Sequence, residues 1–442
     1  MGAKSVQTPD KSEAIVDDIS NVDQTKLAEL KAKLAKKDDM AAKIVEKKVR
    51  SISFGVIGSG QAGSRLAEAF YKLGYDSVVI NTATQDLKHI DVPEANKLHL
   101  DFGLGGAAKE LEVGKAAAEA HRDAIVELVD DKLGETQVNL LCLSLGGGSG
   151  AGSCETLVDV LSSTGKPLLV ITVLPMASED AQTKHNALET LSKLAKAAQA
   201  QKINNLVVVD NAKIEAIYSQ VGQLDFFRTA NKAIVTPLDV FNTLSAMPSD
   251  VKSLDSAEFG KLVVDGQGLS VYGEMTVSSF EDETALASAV IENLSGNLLA
   301  AGFDLKESRY VGVIFAAPKR VWDKIPSVSV NYAMSMINEQ CGMPKGVFKG
   351  IYVVDSDEDE VKIYSMFTGL SLPSSRVEQL KVEAKAHMEA IKNKDVQRNL
   401  NLNLDTGTND TISEAQKIKE KIAAKNSAFG KLMGGVVDKR KK

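Results

Sequence analysis

The sequence contains no long apolar segment. Nowhere in its 442 residues does a run approach the roughly 18 uninterrupted apolar residues of a membrane-spanning helix. The first residues, MGAKSVQTPDKSE, carry no apolar core of a signal peptide, and Val6 stands where a myristoylation signal requires Ser or Thr. We therefore expect a cytoplasmic protein with no membrane partner.

Cysteine, histidine and aromatic residues are also scarce. The spacing of Cys142, Cys154 and Cys341 matches neither a disulfide framework nor a zinc site, so all three are expected to be core or bystander residues. The five histidines form no cluster, and no side-chain metal site is predicted. With 44% hydrophobic residues, the chain is long enough to bury the core of an α/β protein.

Charge is distributed unevenly along the chain. Residues 1–50 carry 11 basic and 9 acidic side chains, whereas residues 411–442 carry 9 basic and 3 acidic ones. Since the whole chain has a formal charge of −7, residues 51–410 hold −15. This acidic body argues against a nucleic-acid-binding face on the folded part. The basic tail, KLMGGVVDKRKK, is either a solubilising end or a contact to DNA or to a DNA-binding adaptor.

Glycine, in contrast, is abundant and clustered. The stretch LCLSLGGGSGAGSCE at 141–155 places five glycines between a buried strand and a helix. Backbone N–H groups of such a loop, together with the positive end of the helix dipole, favour a phosphate. A linker would have polar flanks, no Gly-Lys-Ser/Thr of a P-loop follows, and a dinucleotide fingerprint fits poorly. The stretch therefore predicts a phosphate-binding loop.

Strand and helix patterns alternate through the body of the chain. They predict an α/β protein with a doubly wound, mostly parallel sheet, in which ligands bind at the carboxyl ends of the strands. Later strands with intervening helices predict a second, smaller α/β domain. The predicted strand ends carry Gly58, Asn81, Gly146, Pro175 and Asn211.

Two local features carry separate expectations. Pro237 lies within the long helical pattern at 224–247 and is expected to kink or restart that helix. The acidic run DSDEDE at 355–360 is expected to be a solvated hairpin turn.

The order of the motifs resembles the tubulin/FtsZ GTPase superfamily over most of residues 51–390. Besides the glycine loop, the resemblance is carried by GSGQAGSR at 58–65, NTATQDL at 81–87, GLGGAA at 103–108, FFRTAN at 226–231 and SLDSAEF at 253–259. VVVDNAKI and VKIYSMFTGLSLPSSRVEQL are similar to the plasmid and phage tubulins of the TubZ type. The resemblance implies a GTPase that binds GTP and GDP with Mg²⁺.

The resemblance also implies a set of nucleotide-contacting residues. Phe227 is expected to stack on the base and Asn231 to hydrogen-bond it, although the sequence alone leaves Phe227 equally a core residue. The expected set is Gly58, Gly60, Gln61, Ala62, Asn81, Gly105, Gly106, Gly146, Gly147, Gly148, Ser149, Gly150, Pro175, Asn211, Phe227 and Asn231.

Two acidic residues are the expected catalytic pair. Asp255 and Glu258 are spaced to share a face at a helix start, where they either cap the helix or polarise a water molecule. The resemblance implies the second role, exerted on the nucleotide of the next subunit in a head-to-tail filament. It further suggests filaments that move or position plasmid or phage DNA. A division or scaffold filament and a dinucleotide-binding oxidoreductase remain alternatives.

Five segments follow from these patterns. They are a polar leader with an amphipathic helix (1–50), a GTP-binding domain (51–225), a central helix with the catalytic loop (226–260), a C-terminal α/β domain (261–375), and a C-terminal helix with a basic flexible tail (376–442).

Overall fold

The structure, a computed structural model, describes residues 49–103, 105–280, 282, 284–294 and 296–397. Ten strands of these residues form one sheet. They are β1 (Phe54–Ser59), β2 (Asp76–Asn81), β3 (Lys97–His99), β4 (Val138–Ser144), β5 (Leu168–Leu174), β6 (Asn205–Asp210), β7 (Leu269–Val277), β8 (Tyr310–Ala317), β9 (Gly346–Val353) and β10 (Val361–Leu370).

Helices connect most of these strands, and two short 3₁₀ helices lie at Glu94–Asn96 and Leu305–Glu307. The α-helices of the described residues are α1 (Gly60–Lys72), α2 (Thr84–Lys88), α3 (Leu111–Ala120), α4 (Arg122–Leu133), α5 (Ser149–Ser163), α6 (Ala181–Gln199), α7 (Asn211–Ile217), α8 (Gln223–Leu244), α9 (Ser256–Val263), α10 (Ala285–Asn293), α11 (Lys319–Trp322), α12 (Ser327–Gln340) and α13 (Ser374–Gln397).

The strand order creates a crevice at the carboxyl ends of the strands, which form one edge of the sheet. The order is β3-β2-β1-β4-β5-β6-β7-β10-β8-β9, and every pair from β3 to β6 is parallel. Because β1 has β2 on one side and β4 on the other, the connections after β1 and β4 diverge there and leave room for a ligand. The predicted α/β class with a doubly wound, mostly parallel sheet is confirmed.

The central strands are apolar throughout because both faces of the sheet are covered. Successive residues of β4 enter two different cores: Leu141 packs in one cluster, whereas Leu140 and Cys142 pack in the other. This alternation is what a strand buried on both faces requires. All three cysteines are buried and free, and burial raises the pKa of each thiol.

The second half of the sheet is mixed in direction. β7 pairs with β6 in parallel over only two positions, and β10 runs antiparallel to both β7 and β8. Since β8 lies between β9 and β10, the acidic run at 355–360 joins strands that do not pair, and the expected hairpin turn is wrong. A hairpin needs neighbouring strands, and no local pattern reveals an intervening strand. The run itself lies largely exposed, with Asp359 paired to Arg320.

The long helix α8 continues through Pro237, so of the kink or restart expected there the restart is wrong, and the kink stays a prediction. Pro237 has no N–H to donate to the carbonyl of Ala233, one turn earlier. The next carbonyl, that of Ile234, accepts a hydrogen bond of 2.8 Å from the hydroxyl of Tyr272 in β7. Tertiary packing of Ile234 and the fully buried Phe241 holds the helix where its sequence weakens it.

The described residues from 49 to 387 belong to one compact unit, and the contacts discussed below all lie within it. The second unit begins at Met388, and its described part, through 397, is the end of α13. Val49 and Arg50 are not helical, and the rest of the predicted leader lies outside the described residues, as does the basic tail. The division into five segments stays a prediction.

Candidate functional site

A cleft of about 540 Å³ lies at the carboxyl edge of the sheet. It is bordered by the loops after β1, β4, β5 and β6 and by the first turns of α8. Most residues of the expected nucleotide set line it together. These are Gly60, Gln61, Ala62, Gly146, Gly147, Gly148, Ser149, Gly150, Pro175, Asn211, Phe227 and Asn231.

Two glycine turns meet at the base of this cleft. Gly60 has a φ of +70°, and a Cβ on it would lie 2.7 Å from the backbone nitrogen of Gly150. A Cβ on Gly150 would in turn lie 2.7 Å from the carbonyl oxygen of Ser59. The helices α1 and α5 therefore begin side by side, and their N-terminal amides provide a positive edge suited to an anion.

Four residues of the expected set do not line the cleft. Gly58 is buried in β1, where a Cβ would lie 2.5 Å from the carbonyl oxygen of Gly63, so its role is close packing of α1 on the strand. Gly105 and Gly106 lie in a loop with φ of +85° and +156°, and a Cβ added to either would have no neighbour within 4 Å. Asn81 is buried and acts indirectly, because its amide donates a 3.1 Å hydrogen bond to Asp86, which does line the cleft.

Charged side chains of the cleft were missed by the sequence analysis. Arg65, Asp86, Lys109 and Glu179 all line it. Sequence signals existed for three of the four, since Asp86 lies within NTATQDL, Arg65 ends the GSGQAGSR motif and Lys109 directly follows GLGGAA. None of the three belongs to a periodic pattern, so none stood out as a ligand contact.

Phe227 and Arg65 line the part of the cleft that is expected to hold the nucleobase. The Phe227 side chain is 41% exposed, so its ring is accessible and does not belong to the core. The guanidinium carbon of Arg65 lies 5.5 Å from the ring centroid, within the range of a cation–π contact. An aromatic face beside Asn231 and Asn211 offers stacking together with amide hydrogen bonds.

The opposite rim carries a cation and two neighbouring acids with different proton affinities. Burial raises the pKa of Glu179, which lines the cleft. Hydrogen bonds from Lys109 and from the backbone of Thr183 lower the pKa of Asp180 to about 2. Asp180 caps α6 through Thr183 and pairs with Lys109, so it fixes one cation at the mouth of the cleft.

Asp255 and Glu258 form a capping box at the start of α9. Oδ1 of Asp255 accepts a 2.8 Å hydrogen bond from the Glu258 amide, and Oε2 of Glu258 accepts a 3.1 Å bond from the Asp255 amide. Asp255 is exposed, Glu258 is partly buried, and neither lines the cleft. Capping is therefore one role of the pair, and catalysis by it stays a prediction.

This acidic pair and the cleft lie at opposite edges of the sheet. The hydroxyl of Ser256, next to Asp255, is 2.7 Å from that of Ser51, which precedes β1. Gly60, which lines the cleft, directly follows β1. A strand of six residues spans about 20 Å, so the pair does not reach the cleft of its own chain.

Residues 53–219 match the model of the Tubulin/FtsZ family, GTPase domain. This stretch of the chain is therefore similar to the GTPase domain of that family. The matched range ends eight residues after α7 begins and covers the loops after β1, β2, β4, β5 and β6. The expectation of a GTPase is therefore confirmed, and the dinucleotide-binding oxidoreductase is set aside.

Two kinds of tubulin-like protein are similar to this chain over most of its length. Tubulin-like protein CetZ of Pyrococcus horikoshii is 24% identical over 341 residues, which cover 75% of this chain and 89% of CetZ. A GTPγS-form protofilament structure of TubZ from Bacillus thuringiensis serovar israelensis has a TM-score of 0.70 at 21% identity, covering 80% of this chain and 96% of that chain. A structure of type III plasmid segregation TubZ has a TM-score of 0.66 at 20% identity, with coverage of 80% and 96%. At this identity the solved structures show the shared fold.

GTP, GDP and Mg²⁺ are the ligands of this GTPase family, and the cleft fits them. Mg²⁺ in nucleotide sites is held mainly by phosphate oxygens and water, with one or two carboxylates. Asp86 and Glu179 are the carboxylates that line the cleft, and no group of three or more metal-ligating side chains occurs among the described residues. Mg²⁺ would neutralise phosphate charge there, while the glycine turns and Lys109 would donate hydrogen bonds to the phosphates.

No helix among the described residues combines the length and apolar character needed to cross a bilayer.

Proposed function

We propose that this GTPase assembles head to tail into filaments in which each subunit hydrolyses the GTP held by its neighbour. One observation carries the proposal: the cleft and the Asp255–Glu258 pair lie at opposite edges of the same sheet. Stacking one copy on the next brings the acidic loop of one subunit over the cleft of the other. Such a contact is heterologous and does not close, so it generates a filament.

The acidic pair has the chemistry that the hydrolysis step requires. Hydrolysis of a phosphoanhydride needs a positioned water molecule, because charge on the phosphates is already dispersed by backbone donors and Mg²⁺. A carboxylate that accepts a hydrogen bond from water orients and polarises it. Asp255 and Glu258 lie at the surface and are held in a fixed geometry by their capping box, which suits this task.

We further propose that the filaments move or position plasmid or phage DNA. Two features support this cargo: the motifs similar to TubZ-type tubulins, and the basic tail on an otherwise acidic chain. The fold is shared with a TubZ of type III plasmid segregation. In this proposal the tail contacts DNA or a DNA-binding adaptor, while the filament body contacts only further copies of the chain.

Electron microscopy and turnover measurements on the purified full chain test assembly. Filaments are expected with GTP and with a slowly hydrolysed analogue, and GTP turnover per subunit is expected to rise steeply with protein concentration. Turnover per subunit that is independent of concentration would contradict hydrolysis at a subunit interface. Filaments that form normally but never associate with plasmid DNA or its adaptor would favour a division or scaffold role.

A further inference from the structure

A chain of four charged side chains lies behind the nucleotide cleft. Arg376 and Glu383 belong to α13, Lys184 to α6, and Asp210 to the end of β6. Nε of Arg376 is 2.5 Å from Oδ2 of Asp210, and Nζ of Lys184 is 3.0 Å from Oε2 of Glu383. Nη1 of Arg376 and Oε1 of Glu383, 3.5 Å apart, join the two pairs. The side chains of Arg376, Asp210 and Lys184 are at most 5% exposed.

Both cations of this chain also hold the loop at 175–180, which joins β5 to α6. Nη2 of Arg376 donates to the carbonyl of Pro175 at 3.4 Å, and Nζ of Lys184 donates to the carbonyl of Ala177 at 2.6 Å. Pro175 and Glu179 of the same loop line the cleft. The loop is therefore fixed from behind by two buried cations.

Asp210 extends the same chain of charges to a second, neighbouring wall of the cleft. Its Oδ1 accepts a 3.0 Å hydrogen bond from the amide of Ala212 and so fixes the start of α7. Asn211 lies between these two residues and lines the cleft. Arg376 of α13 thus contacts both the loop at 175–180 and Asp210, and each of these holds one wall of the cleft.

Stability alone does not account for this arrangement. Buried ion pairs are often no more stabilising than well-packed apolar residues, because desolvation offsets much of their attraction. Charged groups instead fix geometry, because each cation here contacts both a carboxylate and a particular carbonyl of the loop at 175–180. Arg376 and Glu383 are seven residues apart, about two helical turns, so one face of α13 carries both contacts.

We propose that Arg376 and Lys184 are positioning residues for the nucleotide, through which residues 374–386 of α13 set the geometry of the loop at 175–180 and of Asn211. Coupling of this kind is reciprocal, so bound nucleotide stabilises the seating of the same part of α13. The inference rests on nucleotide binding by the GTPase domain and is independent of filament assembly.

A pair of matched variants tests the proposal. Arg376→Met breaks the pair with Asp210, and Arg50→Met breaks another buried Arg–Asp pair, Arg50–Asp239, whose Nη2–Oδ1 distance is 3.1 Å. Both variants are expected to lower Tm, but only Arg376→Met is expected to weaken GDP binding, by about 10-fold. Arg376→Lys, which keeps a cation beside Asp210, is expected to recover part of that loss.

Binding is measured with fluorescent GDP on dilute protein, so that assembly plays no part. If the two methionine variants bind GDP equally well, whether at full affinity or with the same loss relative to the unaltered chain, the network is structural and the proposal is overturned.

Hydrogen exchange on the unaltered chain supplies a measurement that needs no variant. GDP is expected to slow exchange of the backbone amides at 374–386 severalfold, while α12, which packs elsewhere, serves as the reference helix. Exchange at 374–386 that is the same with and without GDP would overturn the proposal, even if neither Arg376 variant folds.

Discussion

The two edges of the sheet use their polar groups in opposite ways. At the carboxyl edge, backbone amides at the starts of α1 and α5 border an open cleft. At the amino edge, side chains bind one another: Arg50 and the hydroxyl of Tyr75 both contact Oδ1 of Asp239, at 3.1 and 3.0 Å, and Asn242 bonds both the amide and the carbonyl of Ile52. The first edge is built to receive a ligand, and the second is built to keep its shape.

In the proposed filament, one chain supplies the nucleotide cleft of one reaction centre and the acidic pair of another. A ligand site needs open donors, and open donors tolerate few side chains, which is why glycine dominates the carboxyl edge. A group that must act on another molecule needs a rigid support, and the capping box of α9 provides one at the amino edge. In the proposed filament, each edge is therefore incomplete as an enzyme until a second copy is present.

The largest expected effect comes from adding a side chain to the glycine loop after β4. Gly148→Val is expected to abolish GTP binding while the fold is largely retained. A Cβ at this position would lie 2.7 Å from that of Ala107 and 2.9 Å from the amide nitrogen of Lys109, so valine displaces the loop that carries Lys109. Fluorescent-nucleotide titration measures the affinity, and circular dichroism checks the fold.

Gly147→Ala is the matched control for that substitution. Its added Cβ would meet only the hydroxyl of Ser144, at an ordinary 3.5 Å, so the protein itself has room for it. Any loss of affinity in Gly147→Ala then reports contact with the ligand. Near-normal binding by Gly148→Val would contradict the assignment of this loop.

The next effect separates charge from shape at the amino edge. Asp255→Asn and Glu258→Gln keep the capping box, since Asn caps about as well as Asp and Gln substitutes for Glu at the third position. Both variants are expected to bind GTP and assemble, but to hydrolyse it about 100-fold more slowly and to form long static filaments. Glu258→Gln is expected to be the milder of the two.

Phosphate release and light scattering on the same samples measure hydrolysis and assembly together. Asp255→Ala, which loses the cap as well as the carboxylate, shows how much of any defect comes from helix stability. Asparagine and glutamine variants that disassemble at the rate of the unaltered chain would leave capping as the only role of the pair.

The third expected effect concerns the basic tail. Deleting residues 431–442 is expected to leave polymerisation unchanged and to abolish attachment of DNA or of the adaptor–DNA complex. Replacing residues 439–442 by glutamine keeps the length and removes the charge, so it is expected to act like the deletion. Cosedimentation with DNA at several salt concentrations tests both, because phosphate contacts weaken steeply as salt rises. A tail deletion that no longer sediments as filaments would contradict this division of roles.

The smallest expected effect is a pH dependence at the carboxyl edge. Burial raises the pKa of Glu179, so this carboxyl takes up a proton at a higher pH than an exposed glutamate does. As the pH falls through that raised pKa, this negative charge in the cleft disappears, and nucleotide affinity measured without Mg²⁺ is expected to rise, by less than about 10-fold. Glu179→Gln has no such charge, and its affinity is expected to change only with the titration of the nucleotide itself. Identical pH profiles for the two proteins would exclude Glu179 as the titrating group.

The sequence predicted the carboxyl edge well because backbone-binding loops leave a local signature. Glycines that follow an apolar strand are recognisable without any knowledge of distant residues, and Gly60 and Gly146 indeed border one cleft. Arg65, Lys109 and Glu179 were missed because a charged side chain has no periodicity that distinguishes a ligand contact from a solvated surface.

The errors arose where distant parts of the chain decide the structure. The restart at Pro237 was expected from a local rule, and the hydroxyl of Tyr272, 35 residues later, supports the helix instead. The hairpin at 355–360 was expected because two strands flank a polar run, yet β8 lies between them. Long-range pairing of this kind is absent from any short window of sequence.

The bond between Tyr272 and the carbonyl of Ile234 has a mechanical consequence. Pro237 removes one backbone hydrogen bond from α8, and the fully buried hydroxyl of Tyr272 ties the adjoining turn to the sheet. A helix that lacks one backbone hydrogen bond bends most easily at that point. Exchanging Tyr272 for Phe deletes a single oxygen atom, and with it the hydrogen bond that resists bending of α8 at Pro237.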